Sequence, residues 1–179
     1  MDDVNAATTT LPARRAAGER APSFASVAER HLDDVYRYLL VFTRDPAVAE
    51  DLAAETFERA LRAWRRFDPR RASARTWLCT IARSAALDHF RSETRRRRRE
   101  QLAAGERRYV DPPELGLSPE LERALRALSA ADREVIALRI VLDLDAETAA
   151  RLIGISATAC TTRLNRALQR LEERMTDDD

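Results

Sequence analysis

Two groups of side chains have the types and spacing to recognise nucleic acid. The first runs through Arg70, Arg71, Arg75, Thr76 and Trp77 and continues with Arg83, Ser84, Asp88 and Arg91. Guanidinium groups beside an aromatic ring suit a single strand: the cation meets phosphate while the ring stacks on an unpaired base. On local sequence alone, a tryptophan followed by Leu78 and Ile81 reads first as core. The second group lies in DAETAARLIGISATACTTRLNRALQRL, from Asp145 to Leu171. Here Thr158, Thr161, Thr162, Asn165, Arg166 and Gln169 fall mostly on one helical face, while Cys160, Leu164, Leu168 and Leu171 line the other. Hydroxyls, amides and guanidinium on one exposed face suit a helix lying in a major groove. An ordinary helical hairpin with a solvated outer face is the competing reading.

No enzyme constellation is visible. The chain has no glycine-rich phosphate loop, no HExxH and no nucleophile with a base at motif spacing, so neither catalysis nor a cofactor is expected. Asp51 and Glu55 stand one turn apart and read as an acidic helix face. His31 and His89 are isolated, and neither they nor the distant Cys79 and Cys160 have metal-ligand spacing. Both cysteines are expected as buried reduced thiols and His31 as packed at the inner edge of the first helix.

The elements that must position these groups are all helical. Gly154 supplies a tight turn, with Ala150 four residues before it and Ser156 placed to cap the next helix. Phe24, Val27, His31, Val35, Leu39 and Phe42 mark a first amphipathic helix. Asp45-Pro46 opens a second, which runs to about Arg66 through Leu52, Phe57, Ala60, Leu61 and Trp64. After the loop FDPRRAS a third helix spans about Ala74 to Ser92. From Glu93 to about Leu117 the pattern dissolves into an arginine run with Gly105, Pro112, Pro113 and Gly116, which reads as a linker whose first arginines can prolong helix three. Helicity resumes after Ser118-Pro119 with Leu121, Leu125 and Leu128. Ser129 to Asp132 then cap a helix carrying Val135, Ile136, Leu138 and Ile140. The expected fold is all-α: a tail over 1–22, a helical domain over 23–92, a basic linker over 93–117, a helix-turn-helix domain over 118–175 and an acidic end over 176–179.

The 179 residues suffice for one medium domain or two small ones, and the net charge is +1. The distribution says more than the sum. Acidic residues gather near Asp45 to Glu58 and Glu114 to Glu122. Arginine dominates from Arg62 to Arg108, with Arg95 to Arg99 consecutive, and lysine is absent throughout. A basic stripe on a near-neutral chain still attracts phosphate. Every long apolar run is broken by charge and no signal peptide is evident, so a cytoplasmic protein with no membrane insertion is expected.

RDPAVAEDLAAETFERALRAWRRFD followed by RASARTWLCTIARSAALDHFRS resembles region two of bacterial RNA polymerase sigma factors. LSAADREVIALRIVLDLDAETAARLIGISATACTTRLNRALQRL resembles their region four. The gap is too short for region three, which is the pattern of the extracytoplasmic-function (ECF) subgroup. The resemblance implies binding to core RNA polymerase, through the β′ clamp helices and the β flap, and to promoter DNA, both duplex and single-stranded. It also implies an anti-sigma partner. By position, Asp51, Glu55, Phe57, Glu58 and Arg62 fall where the family docks on the clamp helices. The loop from Asp68 to Arg75, with Arg70 and Arg71, resembles the loop that captures a flipped base of the minus-ten element. Thr76, Trp77, Arg83, Ser84, Asp88 and Arg91 align with the strand-opening surface. Ser156 caps the helix on which Ala157, Thr158, Thr161, Thr162, Arg163 and Arg166 align with the reader of the minus-thirty-five element. Cys79 and Thr80 stand where the family usually has an aromatic and an arginine, Ser84 where asparagine is common, and Thr158 and Thr161 where Gly and Lys are common. Two other readings stand beside this one: a dimeric duplex-binding regulator and a helical adaptor that binds only proteins.

Overall fold

The structure, a computed structural model, describes residues 22–103 and 115–176. Most of the expected tail, residues 104–114 of the expected linker and the last three acidic residues lie outside them. Among the described residues all regular structure is helical.

The first three helices form one lobe. Helix α1 spans Phe24–Thr43; Ser23 caps it, and Arg44 ends it in the left-handed region at φ 60°. Asp45 then caps α2, Pro46–Ala63, accepting from the Val48 amide at 3.1 Å, with Pro46 preset for the first turn. A 3-10 turn, Trp64–Arg66, closes α2. Helix α3, Ala74–Ala103, is the longest element. Val35, Tyr38, Leu39 and Phe42 of α1 pack against Leu52 of α2 and Leu78, Ala82 and Ala85 of α3. The Phe42 ring meets Tyr38 and Phe90 at centroid distances of 5.7 and 5.2 Å.

Helix α3 does not stop near Ser92 but continues through the arginine run. Glu93 accepts from both Arg96 and Arg97 at 2.9 Å, and these guanidiniums hold its carboxyl down at about 2. One carboxylate between two cations offsets part of the self-repulsion that would otherwise end the helix.

The second lobe contains α4 (Pro119–Ala127), α5 (Ala130–Ile136), α6 (Ala146–Ile153) and α7 (Ala157–Thr176). Ser118, Ser129 and Asp145 cap the first three of these. Buried Glu122 accepts from the Leu115 and Leu117 amides at 2.6 and 3.3 Å, tying the incoming chain to α4. Helix α5 runs into a π-helical turn, Ala137–Val141. Within it Leu138 is buried, and Ile140, two residues on and therefore across the helix, is 56% exposed. Similarly, Ala167 rather than Leu168 completes the inner face of α7, and Leu61 lies on the outer face of α2.

The lobes are not separate beads. Helix α1 packs on α5 and on the π-helical turn, and the buried apolar residues of both lobes form one cluster. Polar contacts cross the same seam. Arg133 donates to the carbonyls of Leu128 at 2.5 Å and Phe42 at 3.4 Å, and Arg44 donates to the Arg126 carbonyl at 3.3 Å. Burial, then the nearby Arg44, lowers Arg133 to about 10. No helix among the described residues is long and apolar enough to cross a membrane.

Candidate nucleic-acid and polymerase interfaces

In the second lobe the turn is built as its sequence requires. Gly154 sits at φ 75° and closes α6 by donating to Ala150, whose lack of bulk lets α6 and α7 approach. Ser156 caps α7, accepting from the Ala159 amide at 3.1 Å, so its hydroxyl serves the helix. Thr158, Thr161, Thr162 and Arg166 all face solvent. Thr161 bonds back to Ala157, whereas the side chains of Thr158, Thr162 and Arg166 hold no hydrogen bond to the described residues. Arg163 is half-buried. Ser156, Thr158, Thr162, Arg163 and Arg166 border a concavity of about 500 Å³ that also takes in Asp132 and Arg170. Arg170 was not picked out from the sequence. It lies one turn beyond Arg166, and the nearly buried Asp132 holds it at 2.8 Å from a different helix. Spacing along α7 could have suggested the arginine; only packing reveals the carboxylate.

In the first lobe Trp77 is neither plain core nor fully exposed. It is half-buried in an aromatic cluster, 4.9 Å from Phe67 and 5.9 Å from Trp64, and Trp64 in turn meets Phe24 at 5.5 Å. Arg70 and Arg71 are exposed on the adjoining loop. Asp68 folds that loop, accepting from the Arg70 amide at 2.9 Å and from Arg71 through its carbonyl at 3.1 Å. Ser73 caps α3 and engages Thr76 through both amide and hydroxyl. Arg75 is pinned to Asp34 at 3.1 Å, with His31 on the same carboxylate at 3.3 Å. In this lobe Arg75, Arg83, Asp88 and Arg91 are engaged in ion pairs, whereas the side chains of Arg70, Arg71, Trp77 and Ser84 keep accessible surface. Arg83 is paired with Glu134 of the second lobe at 2.7 Å.

The acidic face of α2 is equally concrete. Asp51, Glu55, Arg59, Asp88 and His89 line a groove of about 270 Å³ between α2 and α3. Arg59 bridges Glu55 at 2.5 Å and Asp88 at 3.4 Å, and Arg91 also reaches Asp88, at 3.2 Å. Asp88 therefore belongs as much to this groove as to the α3 surface. Glu58 and Arg62 pair on the outer side beside exposed Leu61, while Phe57 packs inward. Cys79 and Cys160 are buried, and burial pushes the Cys79 thiol up to about 12.

A helix-turn-helix with an accessible second helix, joined to a bundle that sets an aromatic cluster beside exposed arginines, has the character of a helical nucleic-acid-binding protein. Residues 27–96 match the family model for Sigma-70 region 2, and residues 118–171 that for Sigma-70 region 4. The ECF RNA polymerase sigma factor BldN of Streptomyces coelicolor is 34% identical, over 99% of this chain and 69% of its own length. The ECF RNA polymerase sigma factor SigC of Mycobacterium tuberculosis is 32% identical, over 99% and 95%. In solved structures, the sigma factor RpoE of Bartonella quintana, in complex with the anti-sigma factor NepR, superposes with a TM-score of 0.73. That match has 25% identity over 87% of this chain and 98% of the other. This chain belongs to the ECF RNA polymerase sigma factors. It is a promoter-recognition subunit whose partners are core RNA polymerase and promoter DNA.

Proposed function

We propose that the two lobes divide promoter recognition between them. The α7 face carrying Ala157, Thr158, Thr162, Arg163 and Arg166, capped by Ser156, reads the duplex at the minus-thirty-five element, with Thr161 on its edge and Arg170 as an added phosphate contact. The loop from Asp68 to Arg75 and the α3 residues Thr76, Trp77, Arg83, Ser84 and Arg91 hold the opened minus-ten strand. The groove side of α2, with Asp51, Glu55, Glu58 and Arg62 and the inward-packed Phe57, docks on the β′ clamp helices, with Asp88 on its border. The second lobe takes the β flap.

The observation that carries this reading is the pairing, in one chain, of an accessible recognition helix with a half-exposed tryptophan beside solvent-facing arginines. A surface that holds single strands better than duplex shifts melting toward the open complex, because only differential affinity moves such an equilibrium. The protein acts in the cytoplasm, where polymerase works, and a protein partner of the kind that accompanies RpoE in its solved complex holds it in check. The work is binding rather than catalysis. The test is reconstitution with core polymerase on genomic fragments, followed by sequencing of transcript 5′ ends. Initiation at discrete sites sharing two spaced elements is expected. Transcripts no different from those of core polymerase alone would refute the reading.

A further inference from the structure

Helix α3 outruns its own lobe. Leu78, Ala82, Ala85 and Ala86 bury its inner face, and Phe90 packs against the same core. The helix then continues to Ala103, about 20 Å further, and none of residues 91–99 is buried. The arginines of this extension divide by side. With 3.6 residues per turn, Arg96 and Arg97 stand on the core side with Glu93, which accepts from both at 2.9 Å. Arg95, Arg98 and Arg99 stand on the opposite side, exposed, with no ion pair or hydrogen bond to the described residues. They continue the face of Ser84 and Arg91, since Ser84, Arg91, Arg95 and Arg98 follow one another at helical spacing. The one carboxylate thus cancels charge on one side of the helix only. We propose that Arg95, Arg98 and Arg99 are a docking surface for the phosphate backbone of paired promoter DNA, gripping the spacer between the two recognition elements, a role that rests on the reading of α3 as the holder of the opened strand.

The chemistry of the stripe selects the backbone of a duplex. RSETRRRRR, from Arg91 to Arg99, has no aromatic ring on which an unpaired base could stack and no amide to read a base edge. Guanidinium forks with nothing beside them suit phosphate oxygens, which position DNA without reading its sequence. From Arg91 to Arg99 the helix rises about 12 Å. Each strand of a duplex carries one charge per about 3.4 Å of axis, so the stripe matches about three phosphates. Its place along α3 fits the same target. Trp77 and the loop that hold the opened strand lie at the other end of the helix, about 27 Å from Arg95. A strand opened there and a duplex held by α7 leave paired DNA between them, alongside the extension. Arg95 also repels Arg98 and Arg99, one turn away, and phosphate on that side relieves the repulsion as Glu93 does on the other.

The test uses the full chain bound to core polymerase, on a fragment carrying one of the discrete initiation sites. Arg95→Gln/Arg98→Gln and Arg96→Gln/Arg97→Gln remove the same charge from opposite sides, and glutamine sustains a helix about as well as arginine. The first pair should weaken promoter binding roughly tenfold and flatten the slope of log affinity against log salt by about two, whatever the spacer sequence. The second pair should do far less. Because Cys79 and Cys160 are both buried, an Arg98→Cys chain can be labelled at that site with a photoactivatable aryl azide. Its crosslinks should fall on the duplex between the two elements. Unchanged affinity and slope in the first pair, or equal losses from the two sides, overturns the proposal. So do crosslinks confined to the transcript or to polymerase, and this arm decides the matter if the glutamine variants fray α3. Absence of initiation by the parent protein on every genomic fragment would instead overturn the promoter reading, and the spacer contact with it.

Discussion

The recognition face of α7 and the strand-facing side of α3 are both arginine-bearing helical surfaces, but they stand in different states. On α7, the side chains of Thr158, Thr162 and Arg166 face solvent with no hydrogen bond to the described residues, and the helix beneath them is fixed by Gly154 and Ser156. On and beside α3, Arg75 is held by Asp34, Thr76 by Ser73, Asp88 by Arg59 and Arg91, and Arg83 by Glu134. The duplex reader is preformed, which suits a rigid target. The strand reader is engaged in internal pairs that must be exchanged, which suits a target that exists only after melting.

The largest expected effect breaks the core that joins the two. Phe42 packs between Tyr38 and Phe90, and Leu138 is fully buried in the other lobe. Phe42→Ala should cost about 3–5 kcal/mol and Leu138→Ala about 2–5 kcal/mol in urea unfolding. Because the cluster is continuous, each change should lower a single transition monitored at either lobe. Two separated transitions in the parent protein would mean that the lobes behave independently.

Next, Arg166→Glu should weaken duplex promoter binding by roughly ten- to a hundredfold while sparing single-strand affinity, since it removes a phosphate or base contact and adds repulsion. Electrophoretic mobility shift with both DNA forms would show the split. Ser156→Ala should cost about 1 kcal/mol of stability by removing a helix cap, with a smaller loss of duplex affinity than Arg166→Glu. A loss of equal size would give the Ser156 hydroxyl a direct DNA contact.

The smallest effect is a pH dependence. Tyr38, Arg83 and Arg163 face Glu134, and burial raises its folded-state pKa above the ordinary carboxyl value. A raised carboxyl favours the folded state when protonated, and that contribution is lost as pH rises through the folded pKa. Glu134→Gln should therefore match or exceed the parent in thermal stability at neutral pH, and the difference should shrink on acidification. A growing difference on acidification would mean that the ion pair, not burial, dominates.

Much of this was legible in the sequence because local signals agreed with the fold. Asp45-Pro46, Ser129, Gly154 and Ser156 each perform the capping or turning role that their type dictates. The extension of α3 was less legible because five consecutive arginines read as self-repelling until Glu93 is seen between Arg96 and Arg97. The π-helical turn at Ala137–Val141 is announced by no residue pattern. Arg83–Glu134 and Asp132–Arg170 join positions far apart in the chain, so neither spacing nor periodicity could reveal them.

Permanganate footprinting of a promoter bound by core polymerase and this chain, read beside protection of the upstream duplex, tests the division of labour most directly. Trp77→Ala, checked for its fold, should keep upstream protection but lose reactive thymines near the start site, with opening reduced by about 1–3 kcal/mol for each base no longer stacked. Arg166→Glu should lose both together. If Trp77→Ala abolished protection and opening in equal measure, the tryptophan would be a packing residue and the first lobe would not be the strand reader.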